Sequence, residues 1–185
     1  MRGLRKYLTP FAPDQSGAVS VLYELGGIIV ICDAGGCAGN VCGFDEPRWF
    51  EQKSAVFSAG LRDMDAILGR DDRLVAKLVD AAEKVEAGFA ALIGTPVPAV
   101  IGTDYQALKR MCEKRTELPV LTVDTDGMEL YDVGERKAYV ELFKAFAREK
   151  LPVETGKIGI LGMTPQDVSD PGAADKIREK FRVQG

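Results

Sequence analysis

Short apolar runs alternate with helical patterns along most of this chain. Runs of strand length occupy residues 26–31, 89–95, 119–127 and 157–165. Apolar residues at helical spacing predict helices over 16–25, 71–87, a stretch opened by Asp104, 135–150 and 173–181. This alternation is typical of a parallel sheet with helices on both faces. The sequence therefore predicts an α/β fold: a three-layer, Rossmann-like domain with a mostly parallel sheet.

Local signals add detail to this outline. Ser16 and Asp104 are the expected N-caps of two of the helices. Pro96 and Pro98 predict an extended turn. Residues 55–60 have the composition of a short strand or of a buried loop, and both interpretations stay open. In the helix that follows Asp104, the residues expected to point inward are Tyr105, Leu108, Met111 and Cys112.

The length allows one domain and a little more. A chain of 185 residues can form one ordinary domain with a core, or one domain and the beginning of another. Residues 151–156 are polar and contain proline, which is typical of a linker. The strand–helix unit beyond them cannot bury both faces of a sheet alone. We expect a first domain over 1–150, and a linker with the start of a second α/β unit over 151–185.

Composition and charge exclude several classes of protein. The formal net charge is −4 and the sequence pI is about 5.0, whereas nucleic acids and anionic membranes attract clustered lysine and arginine. We therefore expect no nucleic-acid partner and no membrane partner. The apolar runs are too short to span a bilayer, and the basic first residues lack the apolar core of a signal peptide. These features predict a cytoplasmic, reducing setting, in which cysteines are thiols, metal ligands or redox groups.

The sequence contains no histidine. Hydrolytic Ser-His-Asp and Cys-His arrangements are thereby excluded, as are zinc or haem sites ligated by histidine from this chain alone. Sulfur is the soft metal ligand that remains. Acid–base chemistry near neutral pH would require a carboxyl, lysine, tyrosine or cysteine group with a shifted pKa.

Three of the four cysteines lie in one glycine-rich segment, CDAGGCAGNVCG, which follows the apolar run at 26–31. The carboxyl end of a parallel strand is where open α/β sheets place their ligands. Cys37 is therefore predicted to be a metal or cluster ligand, or a redox thiol. Gly35 and Gly36 leave room for a cofactor to approach the backbone. The other interpretation is that Cys37 is a small residue in a tight turn.

The remaining cysteines have their own alternatives. Cys32 ends the strand, where packing in the core is favoured over ligation. Cys42 stays open between the two roles, and Cys112 is predicted to lie in the core. The C-x4-C-x4-C spacing differs from zinc and ferredoxin motifs, and its three thiolates are one fewer than a cubane cluster takes. A site shared across a two-fold axis would supply the missing ligands.

Acidic positions have both structural and ligand-binding interpretations. Asp104 opens a helix whose amide dipoles favour an anion, although helix capping is the commoner role of such a residue. Asp14 is either an oxygen ligand at the cysteine edge or a turn-forming residue. Residues 124–127 lack the further ligands of a calcium loop and are predicted to form a turn. The glycine-rich segment matches neither G-x-G-x-x-G nor a P-loop, so a nucleotide site has little support.

Several of these segments, in this order, resemble nitrogenase component 1 and its relatives, which include dark-operative protochlorophyllide reductase. CDAGGC is similar to the family loop with a cluster-ligating cysteine, here Cys37. TPVPAVIGTD at 95–104 is similar to the family segment T-C-x-x-x-V-I-G-D-D, and residues 55–68 resemble the stretch between the two. Pro96 departs from the pattern because it stands where the family has its second-loop cysteine. The first family cysteine falls near Phe11.

The resemblance implies an oxidoreductase subunit that transfers electrons. Family members hold an iron–sulfur cluster between subunits, and an ATP-dependent reductase partner supplies the electrons. We therefore expect a 4Fe-4S type cluster in a homodimer or a pair of related subunits, and some relatives use an aspartate ligand, for which Asp14 is the candidate. The expected metal ligands are Cys37, Cys42 and Cys32. The expected cofactor-binding residues are Gly35, Gly36 and Asp104.

Two other functions stay open. Pro96 at a family ligand position favours a non-catalytic binding or assembly module that has kept the fold and lost the cluster. The third candidate is a small-molecule binding domain that takes an anion at the helix opened by Asp104. Family subunits contain three α/β domains, so this chain resembles the first of them with the start of a second.

Overall fold

The sheet of the described chain is built from parallel strands. This computed structural model describes residues 12–50, 54–69, 71–147, 149–150, 152, 155–168 and 172–183. The strands within these ranges are β1 Gly27–Ile31, β2 Ala55–Ser58, β3 Phe89–Ile93 and β4 Val120–Val123. They lie in the order β2-β1-β3-β4, and each neighbouring pair is parallel. The predicted parallel α/β fold is confirmed, and residues 55–60 contain a strand.

Helices connect the strands and cover the sheet. Their bounds are α1 Asp14–Leu22, α2 Gly36–Asn40, α3 Asp63–Leu68, α4 Asp71–Lys84, α5 Pro96–Ile101, α6 Tyr105–Thr116, α7 Tyr131–Phe146 and α8 Ala173–Val183. A π-helical turn, Val41–Asp45, continues α2, and a 3-10 turn follows at Pro47–Phe50. We call α2 and the π-helical turn together, residues 36–45, the cysteine turn. Within the described ranges, no helix combines the length and the apolar character needed to cross a membrane.

Each face of the sheet packs against its own layer of helices, because alternate side chains of a strand point to opposite sides. α1 and α7 cover one face, where Ile29 and Ile31 are buried. α4 and α6 cover the other face, where Ile28 and Leu92 are buried. Burial on both faces explains why the strands are continuous apolar runs rather than alternating ones.

α1 and α7 approach each other closely at two reciprocal glycines. A Cβ atom on Gly17 would lie 1.9 Å from the carbonyl oxygen of Tyr131. A Cβ atom on Gly134 would lie 1.7 Å from the carbonyl oxygen of Asp14. Both positions therefore require glycine. This close packing contributes to the complete burial of α1 along its length.

Two local predictions on the helices are wrong. Ser16 does not cap α1: the N-cap is Pro13, and the Ser16 hydroxyl donates instead to Oδ2 of Asp45 at 2.7 Å. Met111 does not point inward, since it is 38% exposed on the outer side of α6. The other three residues predicted to point inward from this helix are buried: Tyr105, Leu108 and Cys112.

The predicted extended turn at Pro96 and Pro98 is a short helix, α5. Pro96 occupies its first position, where proline is favoured because the backbone N–H there has no partner within the helix. Pro98 lies within the first turn, where the same argument applies. Two prolines near the start of a helix are therefore compatible with it, and the pattern alone did not distinguish the helix from a turn.

Residues 157–165, predicted to be a strand, pair with no strand in the part of the chain that the structure describes. Ile158 is 71% exposed. The end of the segment contacts α7 instead, where the amide of Gly162 donates to the hydroxyl of Tyr139 at 3.1 Å. An apolar run forms a strand only where a neighbouring strand takes its hydrogen bonds, and among the described residues the amide of Gly162 bonds to a helix side chain instead. The helix predicted at 173–181 is confirmed as α8, while the division into domains at residue 150 stays a prediction.

Candidate metal and redox site

A crevice is expected at the carboxyl edge of the sheet, where the strand order reverses. β2 pairs with one side of β1 and β3 pairs with the other, so the connections that leave β1 and β3 turn to opposite sides. In open α/β sheets this switch point is the usual place of ligand binding. It is bounded here by residues 32–38 after β1 and 94–96 after β3. The first of these segments contains Gly35, Gly36 and Cys37.

A buried carboxylate holds the loop after β1. Asp33 is 1% exposed, and its Oδ2 accepts the backbone N–H of Ala38 at 2.7 Å. Its Oδ1 accepts the hydroxyl of Ser58 at 2.6 Å. The first bond holds the first turn of α2, and the second joins the loop to the edge strand β2. Asp33 therefore fixes the position of the cysteine turn against the sheet.

Cys37 is the predicted ligand that lies at this switch point. It is the second residue of α2, is half-buried, and has its thiol close to the Thr95 hydroxyl. Gly35 adopts φ +120°, and no described atom lies within 4 Å of a Cβ built on Gly35 or Gly36. Burial, and after it the negative charge of Asp33, raises the pKa of the Cys37 thiol. Without a metal the thiol is therefore protonated at neutral pH.

Cys42 lies further along the cysteine turn, in its π-helical part, and is also half-buried. Burial and then the charges of Glu46 and Asp33 raise the pKa of its thiol. Asp45 ends the turn, and its Oδ2 accepts the side-chain amide of Asn40 at 2.8 Å. Cys37 and Cys42 are thus two partly exposed thiols on one continuous helical segment.

Cys32 lies apart from these two thiols. It continues the alternation of Val30 and packs with it on the side of the sheet covered by α4 and α6. Burial raises the pKa of Cys32 to about 12 and that of the neighbouring Cys112 to about 11. Both residues fit the interpretation as core residues. The structure does not bring Cys32 together with the other two cysteines of the loop as ligands of one metal.

Asp104 uses its own carboxylate to cap α6. Its Oδ1 accepts the backbone N–H groups of Gln106 and Ala107, both at 2.9 Å. These are the amides that would otherwise bind an anion. Asp104 lines a cavity of about 230 Å³ together with Cys32, on the face of the sheet away from Cys37. The structure therefore favours the capping interpretation over a role in cofactor binding.

The family model for nitrogenase component 1 type oxidoreductases matches residues 15–184. The chain belongs to this family. Two solved structures of nitrogenase Cp1, at pH 5 and at pH 6.5, share its fold with TM-scores of 0.58 and 0.61.

These solved structures are distant and much longer. Each is 18% identical to this chain, which shows a shared fold alone. The alignments cover 71% and 74% of this chain but 29% and 28% of the solved chains. This nitrogenase component 1-type chain therefore spans less than a third of their length. No curated protein matches the sequence.

Thr95 and Pro96 lie near Cys37, in the segment that resembles the nitrogenase component 1 pattern. The segment 95–104, which resembles the family segment with the second-loop cysteine, begins close to Cys37, because Thr95 lies near its thiol and Pro96 follows directly. Thr95 is also held in place, since its hydroxyl donates to the carbonyl oxygen of Cys32 at 2.8 Å. Pro96 has no side-chain atom that binds a metal. Phe11, the position near the first family cysteine, lies outside the described residues.

Asp14 has a structural role. It is fully buried, its Oδ1 accepts the amide of Gly127 at 2.8 Å, and its Oδ2 accepts the amide of Asp126 at 3.1 Å. The ammonium nitrogen of Lys137 lies 4.0 Å from the same Oδ2. These bonds direct the carboxylate at the turn after β4. The interpretation of Asp14 as an oxygen ligand beside Cys37 is not supported.

The donor set therefore gives a partial fit to the cluster of the nitrogenase component 1 family. Within the described ranges, no group of three or more Cys, Asp or Glu side chains could hold a metal ion. One chain does not complete a cluster site from these residues. Cys37 and Cys42 are half of the four thiolates that a cubane cluster takes.

An exposed apolar surface adjoins the cysteine turn. Phe44, within the turn, is 78% exposed, and Phe50, at the end of the following 3-10 turn, is 76% exposed. Exposed aromatic side chains are enriched where proteins bind each other. In this nitrogenase component 1-type chain Phe44 lies two residues after Cys42.

Sequence reasoning missed Asp33 and Thr95 as site residues. Each is a polar residue that closely follows an apolar strand, so each lies at the carboxyl edge of the sheet. That position was the available signal. Their partners were not foreseeable, because Ser58 and Cys37 reach them from other parts of the chain.

Proposed function

We propose that this chain is the part of a nitrogenase component 1-type oxidoreductase that supplies half of an interfacial iron–sulfur site. In this proposal the cysteine turns of two subunits face each other across a two-fold axis. Cys37 and Cys42 of each subunit then provide four thiolates, the number that a 4Fe-4S type cluster takes. The observation that carries the proposal is the half-buried thiol of Cys37 at the switch point, on the loop that Asp33 holds against the sheet.

The surroundings of the cysteine turn support a subunit contact at this place. Phe44 and Phe50 offer apolar area that a second subunit would bury. A Cβ built on Gly39 meets no described atom within 4 Å, as at Gly35 and Gly36. A second backbone or a cofactor can therefore approach these glycines closely.

The roles of this chain's own residues follow from their positions. Cys37 and Cys42 would hold the cluster, and Asp33 would orient them by holding the first turn of α2. The cluster, when bound, supplies one-electron transfer. The proposed partners are a second copy or a related subunit, and an ATP-dependent reductase that delivers electrons.

The test is anaerobic reconstitution of the full chain with ferrous iron and sulfide. We expect about two iron and two sulfide ions per chain in a dimer, which corresponds to one shared cluster. Cys37→Ala and Cys42→Ala should each lose the bound iron. Cys112→Ala is the matched control, since it removes a thiol from the core on the other face, and it should keep the iron. An iron-free protein after reconstitution, or iron retained by Cys37→Ala, would contradict the proposal.

One observation favours a second function. Pro96 at a family ligand position is the change expected in a binding or assembly module that has lost the cluster. Such a module predicts that Cys37→Ser leaves self-association and the free energy of unfolding unchanged. The cluster proposal predicts that the same variant associates more weakly, because the bridging group is lost. Sedimentation of the reconstituted wild type and variant separates the two.

A further inference from the structure

Residues 162–168 join α7 to the cysteine turn, and we call them the docking segment. The amide of Gly162 donates to the hydroxyl of Tyr139, and the hydroxyl of Thr164 donates to Oε1 of Glu135 at 2.5 Å. At the other side of the segment, the side-chain amide of Gln166 donates to the carbonyl oxygen of Asp45. Asp45 ends the cysteine turn. The docking segment therefore contacts both α7 and the element that carries Cys42.

A pair of carboxyl groups lies at the centre of this contact. Glu135 is 7% exposed, and its carboxyl group and that of Asp167 in the docking segment approach the same hydroxyl, that of Thr164. The hydroxyl of Thr164 lies 3.5 Å from Oδ2 of Asp167, so it is close to both carboxyls. Two ionised carboxylates have no proton to donate to each other. One proton bound between them removes the repulsion of two negative charges at this buried position.

The neighbouring charged groups also disfavour a second negative charge on the pair of Glu135 and Asp167. On α7 itself, Asp132 acts on Glu135 with a further negative charge. Tyr131, on the same helix, is neutral and faces Asp167 and Glu135. From α1, the carboxylate is Asp14, which is directed at backbone amides and at Lys137.

The cysteine turn adds one more carboxyl, that of Asp45. It is held by the hydroxyl of Ser16 and the side-chain amide of Asn40. The charged groups that act directly on Glu135 are thus acidic, and a second negative charge on the pair would be repelled.

We propose that a proton shared by Glu135 and Asp167 holds the docking segment on α7, and that docking, with its contact to the cysteine turn, weakens as the pH rises. The direction follows from the environment. Burial and the charge of Asp167 raise the pKa of Glu135 from 4.5 to about 7. Between these two values the docked state binds a proton that the undocked state does not. The docking equilibrium therefore falls by up to about tenfold per pH unit in that window and is constant above it.

The test is hydrogen exchange of the full chain at pH 5 and pH 7.5, with protection factors corrected for the intrinsic exchange rates. For the wild type we expect protection of the amides at 162–168 to be lower at pH 7.5 by roughly tenfold or more. The amides of the π-helical turn should lose protection in parallel. In Glu135→Gln the neutral amide replaces the protonated acid, so protection should be equal at the two pH values. Glu141→Gln is the matched control on the same helix, where the carboxylate pairs with Lys144 at 2.7 Å, and it should behave as the wild type.

Asp167→Asn is measured in parallel, because its side chain is exposed and its replacement leaves the core intact. It should make the pH dependence smaller, because the charge of Asp167 is lost while the burial of Glu135, the larger cause of its raised pKa, remains. Protection that does not change with pH in the wild type would overturn the proposal. So would a pH-dependent loss in Glu135→Gln that is as large as in the wild type. Loss at 162–168 with no change at 41–45 would refute the link to the cysteine turn.

Discussion

Asp33 combines a structural and an electrostatic role at the switch point. Its carboxylate holds α2 through the amide of Ala38 and acts on the thiols of Cys37 and Cys42. A negative charge beside a thiol makes the thiolate less favourable, whereas a metal cation offsets that charge. Asp33 therefore favours a neutral thiol or a metal-bound thiolate over a free thiolate. A free thiol at this exposed position is thereby protected from oxidation until a metal binds.

Asp33→Asn should speed the alkylation of Cys37 in the metal-free protein. Removing the charge lowers the pKa of the thiol, so that more thiolate is present at every pH below that pKa. We expect a rate increase of about two- to tenfold at pH 8, since one pKa unit changes the thiolate fraction about tenfold. Mass spectrometry of the iodoacetamide-treated protein assigns the modified cysteine.

Ser58→Ala is the control for this experiment. It removes one hydrogen bond of Asp33 and keeps the negative charge. Equal rates in Asp33→Asn and the wild type would show that the charge does not govern the thiol. Equal acceleration in both variants would assign the effect to loop position instead.

At the scale of the elements, the position of the short helix α1 is determined by its close packing against α7. The backbones of the two helices are in contact at Gly17 and Gly134. Asp14 adds hydrogen bonds to the turn that precedes α7. A side chain at either glycine would have to push the helices apart.

Gly134→Ala should lower the free energy of unfolding by about 2–4 kcal/mol, because the added methyl group overlaps the carbonyl oxygen of Asp14. Urea denaturation measures the effect. Gly39→Ala is the matched control: it is also a helical glycine, and no described atom lies within 4 Å of the added Cβ. It should be neutral or stabilising by up to about 1 kcal/mol. Similar losses in both variants would rule out close helix packing as the cause.

The sequence predicted best those elements that are determined by residues within the element itself. The core strands β1, β3 and β4 are apolar runs, and Asp104 caps α6 because its carboxylate reaches amides only two and three residues away. Predictions failed where a distant residue decides the outcome. Ser16 bonds to Asp45 rather than to its own helix, and the run at 157–165 docks on α7.

The candidate site divides in the same way. Cys32 packs in the core because it points to the same side of the strand as Val30, two residues before it. This is a local property of the sequence. That Cys37 meets Thr95 depends on β1 and β3 being neighbours in the sheet. Sheet order is a property of the whole chain, and no local pattern encodes it.

For the whole molecule, the apolar residues beside the cysteine turn predict how two copies meet. Phe44→Ser should weaken self-association by roughly tenfold or more, because an exposed aromatic side chain at an interface contributes on the order of 1–2 kcal/mol or more to binding. Analytical ultracentrifugation measures the dimer dissociation constant. Phe143→Ser is the control: Phe143 is also exposed, and it lies beside Leu25 and Phe89 at the opposite end of the sheet. Equal weakening by both variants, or none by Phe44→Ser, would contradict a contact at the cysteine turn.

The packing of α1 against α7 also limits the order in which parts of the chain can fold. Asp14 and Gly127 are separated by 113 positions in the sequence, and they are bonded directly. During synthesis α1 leaves the ribosome long before α7, so the face of α1 that packs on α7 stays exposed to water until the later helix has been made. Contacts between such distant positions slow folding, since a long loop has to close first. A chain interrupted before residue 131 therefore leaves α1 without α7, even when the strands β1 to β4 are already present.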